Sequence, residues 1–214
     1  MKILILSEGK HDGSFFKKLF PEIWIEDSQT RIIDLKTDSK LRETKNSETE
    51  EIRKFLGNYN PYKILAKSEG GKGKAIAVFS YIVSSLQPLL KEIDKTILML
   101  DLDGITPEEQ LNHLKQRIHT KYTTKIGIEK VDAKEIRFPN SKKPNLFILK
   151  NELRIEKNLF PFYLVLFTYS LEIESSIKDN KDDDKDSNEI IENKISAFVK
   201  NEDIRKIFSN LFKF

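Results

Sequence analysis

Three carboxylates stand where two apolar runs end. Ile3–Ser7 (ILILS) leads straight into Glu8, and Lys95–Leu100 (KTILML) leads into Asp101 and Asp103. On an extended strand, residues two apart face the same side, roughly 6.5 Å from one another. Two carboxylates that close repel, so they either raise each other's pKa or share a cation. Mg²⁺ takes one or two protein carboxylates and completes its octahedron from water and phosphate oxygens. The spacing therefore predicts a cation site that handles phosphate, with Gly104 letting the backbone turn away from it. The plainer alternative is a solvated strand end with an aspartate cap. Glu8 alone says less, but Gly9 and Asp12 follow it at the start of a predicted helix, and a helix N-terminus favours anions.

The elements that must position these residues are readable from the apolar pattern. ILILS is a continuous apolar run, as expected of a strand buried on both faces. Asp12–Phe20 reads as a helix with Asp12 at its N-cap, Phe15, Phe16, Leu19 and Phe20 on its apolar face, and Pro21 ending it. Trp24–Ile25 and Arg31–Leu35 read as short extended pieces, 36–47 as polar chain, and Glu48–Leu56 as a helix. Tyr62–Ala66 is a predicted strand, Lys67–Lys74 (KSEGGKGK) a loop, and Ala75–Leu90 an apolar helix. Lys95–Leu100 is the clearest strand. After it, Thr106 caps a helix that has Pro107 at its first position and Glu108 and Glu109 in its first turn. Ile126–Ile128, Lys134–Phe138 and Asn145–Leu149 suggest three more strands, and Leu159–Ile177 a helix after Pro161. Such alternation implies a mainly parallel sheet flanked by helices. In that arrangement ligands gather at the carboxyl ends of the strands.

ILILSEGKHD and ILMLDLDG, in this order, resemble the two motifs of the Toprim domain, a hydrophobic strand followed by EGxxD and a second followed by DxD. The family includes topoisomerases, bacterial-type primases, OLD-family nucleases and small stand-alone proteins. The resemblance covers roughly residues 1–125. It implies a Toprim-like (Rossmann-like) α/β fold, with Glu8 as general acid/base and Asp101 and Asp103 holding Mg²⁺ or Mn²⁺. The implied activity is cleavage of, or nucleotidyl transfer to, phosphodiesters of DNA or RNA. The OLD-like branch adds a later acid, for which LEIESSI offers Glu172 and Glu174, with Glu174 preferred. No ATPase domain, topoisomerase gate or primase zinc module accompanies the motifs, so the stand-alone members are the nearest match. Two other readings stay open. LDLDG also resembles the first motif of HAD-type phosphohydrolases, in which Asp101 would be the nucleophile. There the motif usually stands near the start, Ile105 replaces a threonine, and Glu8 has no role. A non-catalytic module that binds nucleic acid or protein through the same acidic site is the second alternative.

Substrate contacts are expected from Gly9, Lys10, Asp12 and Lys72. The loop Lys67–Lys74 offers backbone N–H groups and lysines to an anion, although it matches no nucleotide-binding fingerprint. A flexible surface turn is the alternative. His11 beside Glu8 is either a phosphate contact or merely exposed. His113 and His119 are six apart and do not share a helix face, which argues against a zinc pair. The aromatic cluster around Phe160, Phe162, Tyr163, Phe167 and Tyr169 reads as core rather than as a platform for stacking bases. Asp182–Asp184 lacks the glycine and glutamate of an EF-hand.

Composition sets the remaining bounds. The chain has 214 residues, 38% hydrophobic and 33% charged, with net charge +3. Residues 1–178 carry 30 basic and 25 acidic side chains, a mildly basic body compatible with a polyanion. The absence of cysteine excludes disulfides, thiolate metal sites and a cysteine nucleophile. The first apolar run is too short for a secretory signal and no stretch suits a bilayer, so a cytoplasmic protein is expected. The Lys-, Glu- and Ile-rich composition leans towards a heat-adapted source. The expected organisation is an α/β domain over 1–178, a charged linker over 179–188 and a C-terminal helical appendage over 189–214. That appendage would dock on the body, a second copy or a partner protein.

Overall fold

A computed structural model of the chain describes residues 2–9, 11–34, 47–57, 60–86, 90–119, 126–138, 143–168 and 188–212. Seven strands form one sheet: β1 (Ile3–Ser7), β2 (Thr30–Asp34), β3 (Ile64–Ser68), β4 (Lys95–Asp101), β5 (Ile126–Ile136), β6 (Leu146–Ile155) and β7 (Asn158–Phe167). Their order is β2-β3-β1-β4-β7-β6-β5. The β2/β3, β3/β1, β1/β4 and β4/β7 pairs are parallel, while β7/β6 and β6/β5 are antiparallel. The α/β fold, with its mixed and mostly parallel sheet, is thus the one the alternation predicts.

Both central strands are buried on two faces because their middles, Ile3–Leu6 and Ile97–Leu100, are apolar at every position. Ile3 and Ile5 of β1 and Ile97 and Met99 of β4 enter one core. Leu4, Leu6, Leu98 and Leu100 enter the other. Helices α2 (Ser47–Leu56), α3 (Lys72–Ser85) and α4 (Pro107–His119) cover the second face. Helices α1 (Asp12–Glu22), α5 (Asn188–Val199) and α6 (Glu202–Phe212) cover the first. The chain leaves β1 towards β2 over one face and reaches β4 from β3 over the other, so the strand order reverses between β1 and β4. A crevice opens at such a reversal, at the carboxyl ends of the strands.

The C-terminal helices complete this core. Ile195, Val199, Ile204, Phe208 and Phe212 are buried in it, and Phe15 stacks edge-on against Phe208 at 5.3 Å. Polar contacts hold α5 to α1. Ser14 Oγ donates to Glu192 Oε1 at 2.6 Å, and Lys18 Nζ stands 2.9 Å from Glu192 Oε2. The Ser14 hydrogen bond, and after it Lys18, hold the Glu192 carboxyl below the ordinary glutamate range. A depressed carboxyl adds stability above its unfolded pKa and loses it as pH falls through the folded value. Glu192→Gln is accordingly expected to melt lower than the wild type at neutral pH, and the gap to close in acid. Glu192 is 40% exposed, so screening keeps the difference below about 1 kcal/mol. Thermal melts of both proteins across the acid range check this.

Several local expectations are corrected. The stretch after Pro161 is not helical: Asn158–Phe167 is strand β7, antiparallel to β6 and parallel to β4. The proline is tolerated because β7 begins its pairing with β4 only at Phe162, which leaves no ladder partner for a Pro161 N–H on that side. Three short strands are in fact two long ones, with β5 continuous through a bulge between Lys130 and Asp132. Helix α1 runs one residue past Pro21, and Trp24 is a turn residue at φ 64° rather than part of a strand. Asp12 is the first residue of α1 and not its N-cap, which is His11. Helix α3 starts earlier than predicted, at Lys72, and ends at Ser85. The Thr106 start of α4 is as predicted, and it closes reciprocally. The Thr106 N–H donates to Glu109 Oε2 at 2.7 Å and the Glu109 N–H to Thr106 Oγ1 at 3.2 Å. The aromatic cluster is core at Phe162 and Phe167, both about 1% exposed. Among the described residues no helix is long and apolar enough to cross a membrane.

Candidate functional site

Glu8 and Asp101 meet at the reversal. The parallel register sets Ser7 beside Met99, so the residues that follow the two strands project from adjacent ends. The Asp101 N–H donates to Glu8 Oε2 at 3.3 Å. Burial pushes the Glu8 carboxyl above the ordinary glutamate range. The Asp101 N–H and the Lys72 ammonium pull it back, and the Asp103 carboxylate adds to the rise. A carboxyl poised in this way is suited to carry a proton.

Asp103 does not behave as the even strand spacing predicts. Strand β4 stops at Asp101 and Leu102 is buried. Asp103 takes φ 51° and Gly104 φ 84°, a left-handed pair that swings the chain away from the sheet. Aspartate tolerates this region better than most side chains. Asp103 is consequently 65% exposed, and its Oδ2 lies 3.0 Å from Lys72 Nζ. Lys72 also donates to the Asp101 carbonyl. The first residue of α3 thereby clamps the turn that carries the DxD motif.

The contact between the two motifs runs through the Asp101 N–H and the Glu8 carboxylate. Among the described residues, no group of three Asp, Glu or His side chains converges closely enough to hold an ion by itself. Asp103, expected beside Asp101 on a shared cation, is turned to Lys72 instead. Lys10, Glu172, Glu174 and Asp182–Asp184 lie outside the described residues.

Gly9 and Asp12 brace the Glu8 turn. The Gly9 N–H donates to Asp12 Oδ2 at 2.8 Å, and Ser68 Oγ donates to the Gly9 carbonyl. Asp12 is only 3% exposed, so its carboxylate serves the loop rather than facing solvent. A Cβ at Gly9 would lie 2.9 Å from Asp12 Oδ1 and 3.2 Å from its Cγ. Gly9→Ala must push this short side chain aside and strand a hydrogen-bonded group. It is expected to destabilise the protein by about 1–3 kcal/mol, measurable as a shift of the urea midpoint with unchanged slope.

The residues between Lys67 and Lys74 are not one loop. Lys67 and Ser68 close strand β3 and Lys72 opens α3. Lys67 is fully buried beside Leu6 and Ile33, and its Nζ lies 2.7 Å from both carboxylate oxygens of Glu69, itself 1% exposed. A signal for this was present. Ile3–Gly9 (ILILSEG) and Ile64–Gly70 (ILAKSEG) end alike, and the register places Ser7 beside Ser68. The difference that matters is Leu6 against Lys67, a register pair. Glu69 is paired with a lysine two residues before it, whereas the residue two before Glu8 is Leu6, and Glu8 lies between Asp101 and Lys72.

Beyond the turn, a cleft of about 540 Å³ opens between the start of α3 and α4, lined by Lys72, Gly73, Ile76, Ile105, Gln110 and Arg117 among others. His113, set aside above as a zinc ligand, is also part of its wall. Compared with protein-family models, with curated proteins and with solved structures, the chain finds no significant match.

Proposed function

We propose that the protein is a Toprim-type, metal-dependent enzyme acting on nucleic-acid phosphodiesters. The observation that supports this best is the contact of Glu8 with Asp101 across the point where the strand order reverses. Both motifs behind the resemblance thereby share one crevice. Mg²⁺ or Mn²⁺ held by Asp101, and by Asp103 once Lys72 lets it go, would stabilise charge on the attacking and leaving oxygens. Glu8, raised by burial, accepts a proton from the attacking group or gives one to the leaving group. Lys72, at the mouth of the crevice, attracts the phosphate backbone. It must release Asp103 if that carboxylate is to join the metal.

A HAD-type phosphohydrolase would use Asp101 as nucleophile and Asp103 as general acid, and leave the Glu8 contact without purpose. The test is direct: the full chain is incubated with supercoiled plasmid, single-stranded DNA and RNA, with Mg²⁺, Mn²⁺ or EDTA. Cleaved or joined products with metal and none with EDTA are expected. Binding without product under every metal condition would make the protein a non-catalytic module.

A further inference from the structure

The cleft beside the carboxylates has features the catalytic reading does not use. Its volume, about 540 Å³, suits a ligand the size of one nucleotide. Ile76 and Ile105 give it an apolar wall, and Lys72 and Arg117 bring positive charge. Gln110 also lines it, is 1% exposed, and its Oε1 accepts no hydrogen bond. A buried amide oxygen without a donor is costly, and a ligand N–H entering the cleft would remove that cost. Within a duplex, base N–H groups are engaged in pairing, whereas an unpaired base presents them freely.

We propose that this cleft seats one unpaired nucleotide beside the phosphodiester at Glu8 and Asp101. Its base lies against Ile76 and Ile105 and donates an N–H to Gln110 Oε1, and its phosphate faces Lys72 and Arg117. The inference rests on the nucleic-acid reading above and gives that site a substrate class: single strands, frayed ends or flaps rather than intact duplex.

Gly73 supplies a clean probe. A Cβ there meets nothing within 4 Å, so Gly73→Phe can fill the cleft without forcing the helix apart. Binding is measured on the full chain in EDTA, by fluorescence anisotropy with a labelled single-stranded hexanucleotide. The same strand as a blunt duplex, AMP and ribose 5-phosphate serve as competitors. The single strand is expected to bind at least about tenfold more tightly than the duplex, and AMP to compete better than ribose 5-phosphate. Gly73→Phe and Gln110→Leu are each expected to weaken the single strand by about tenfold. Gln110→Leu, which removes the unpaired oxygen, should do so without lowering the melting temperature. Wild-type affinity in a folded Gly73→Phe protein, equal competition by ribose 5-phosphate, or AMP binding as tightly as the hexanucleotide would overturn the proposal. Metal is absent from this assay, so its failure leaves Glu8-dependent cleavage standing. Loss of cleavage in the metal assay likewise leaves the cleft's result intact.

Discussion

Glu8→Gln should fold normally and lose metal-dependent turnover by about 10²–10⁴-fold, the span typical of a general acid/base. The amide keeps the volume of the side chain and an oxygen that can accept the Asp101 N–H. It loses the proton and the negative charge. A stability readout separates this from simple damage to the fold. Burial raises the Glu8 pKa in the folded protein, so Glu8 contributes stability below its unfolded pKa and loses it as pH rises through the folded value. At neutral pH the wild type therefore carries a partly desolvated carboxylate that Glu8→Gln lacks. The variant should melt at or above the wild type at neutral pH, with its advantage shrinking as pH falls into the glutamate range. Steady-state cleavage and melting curves on the same preparations check both statements. If Glu8→Gln cleaves normally while Asp101→Asn is dead, the Toprim-type assignment fails and the phosphohydrolase reading takes its place.

The largest effect on stability is expected at Lys67 and Glu69. Their side chains are 0% and 1% exposed and joined through both carboxylate oxygens at 2.7 Å. Removing one partner of such a pair leaves a charge in a low-dielectric interior, at a cost of about 3–5 kcal/mol. Replacing both by apolar side chains of similar size removes the two desolvation penalties together. Glu69→Ala and Lys67→Met are each expected to destabilise by that amount, and Lys67→Met/Glu69→Leu to return close to the wild type. Urea denaturation of the four proteins gives the coupling energy directly. Additive losses would show that the two side chains do not act as a pair. Because Glu69 follows the strand beside β1, this pair also stiffens the floor of the Glu8 turn. The Glu69 N–H donates to the Ser7 carbonyl at 2.9 Å.

Much of the scaffold is local and therefore legible in the chain. ILILS and KTILML each hold four consecutive apolar residues, Ile3–Leu6 and Ile97–Leu100, so neither face can meet water and only a central position in a sheet is left. Thr106-Pro-Glu-Glu109 encodes its own helix start through contacts three residues apart. Where the expectation failed, the deciding partner was distant. Residues 158–167 are apolar enough for a buried helix or a buried strand, and pattern alone cannot separate the two. Pairing with β4 and β6 settles it as β7. The Lys67–Lys74 stretch looked like a solvated basic loop because lysine is seldom buried. Only the placement of Lys67 between Leu6 and Ile33 turns it inward.

For the candidate site, the sequence by itself determined which apolar runs are followed by carboxylates, because an acid is costly to bury unless it is paired and so marks the end of a buried run. That placed Glu8 and Asp101 at strand ends, and it could go no further. Tertiary structure decided which acids meet. Register set the end of β1 beside the end of β4, and a left-handed turn at Asp103 and Gly104 carried the second aspartate out to Lys72. It also decided which glutamate is neutralised, since Glu69 has Lys67 at its side while the register partner of Lys67 is Leu6. The physical reason is range. Hydropathy and capping act over a few residues, whereas the charge a carboxylate feels depends on neighbours that only the fold brings near.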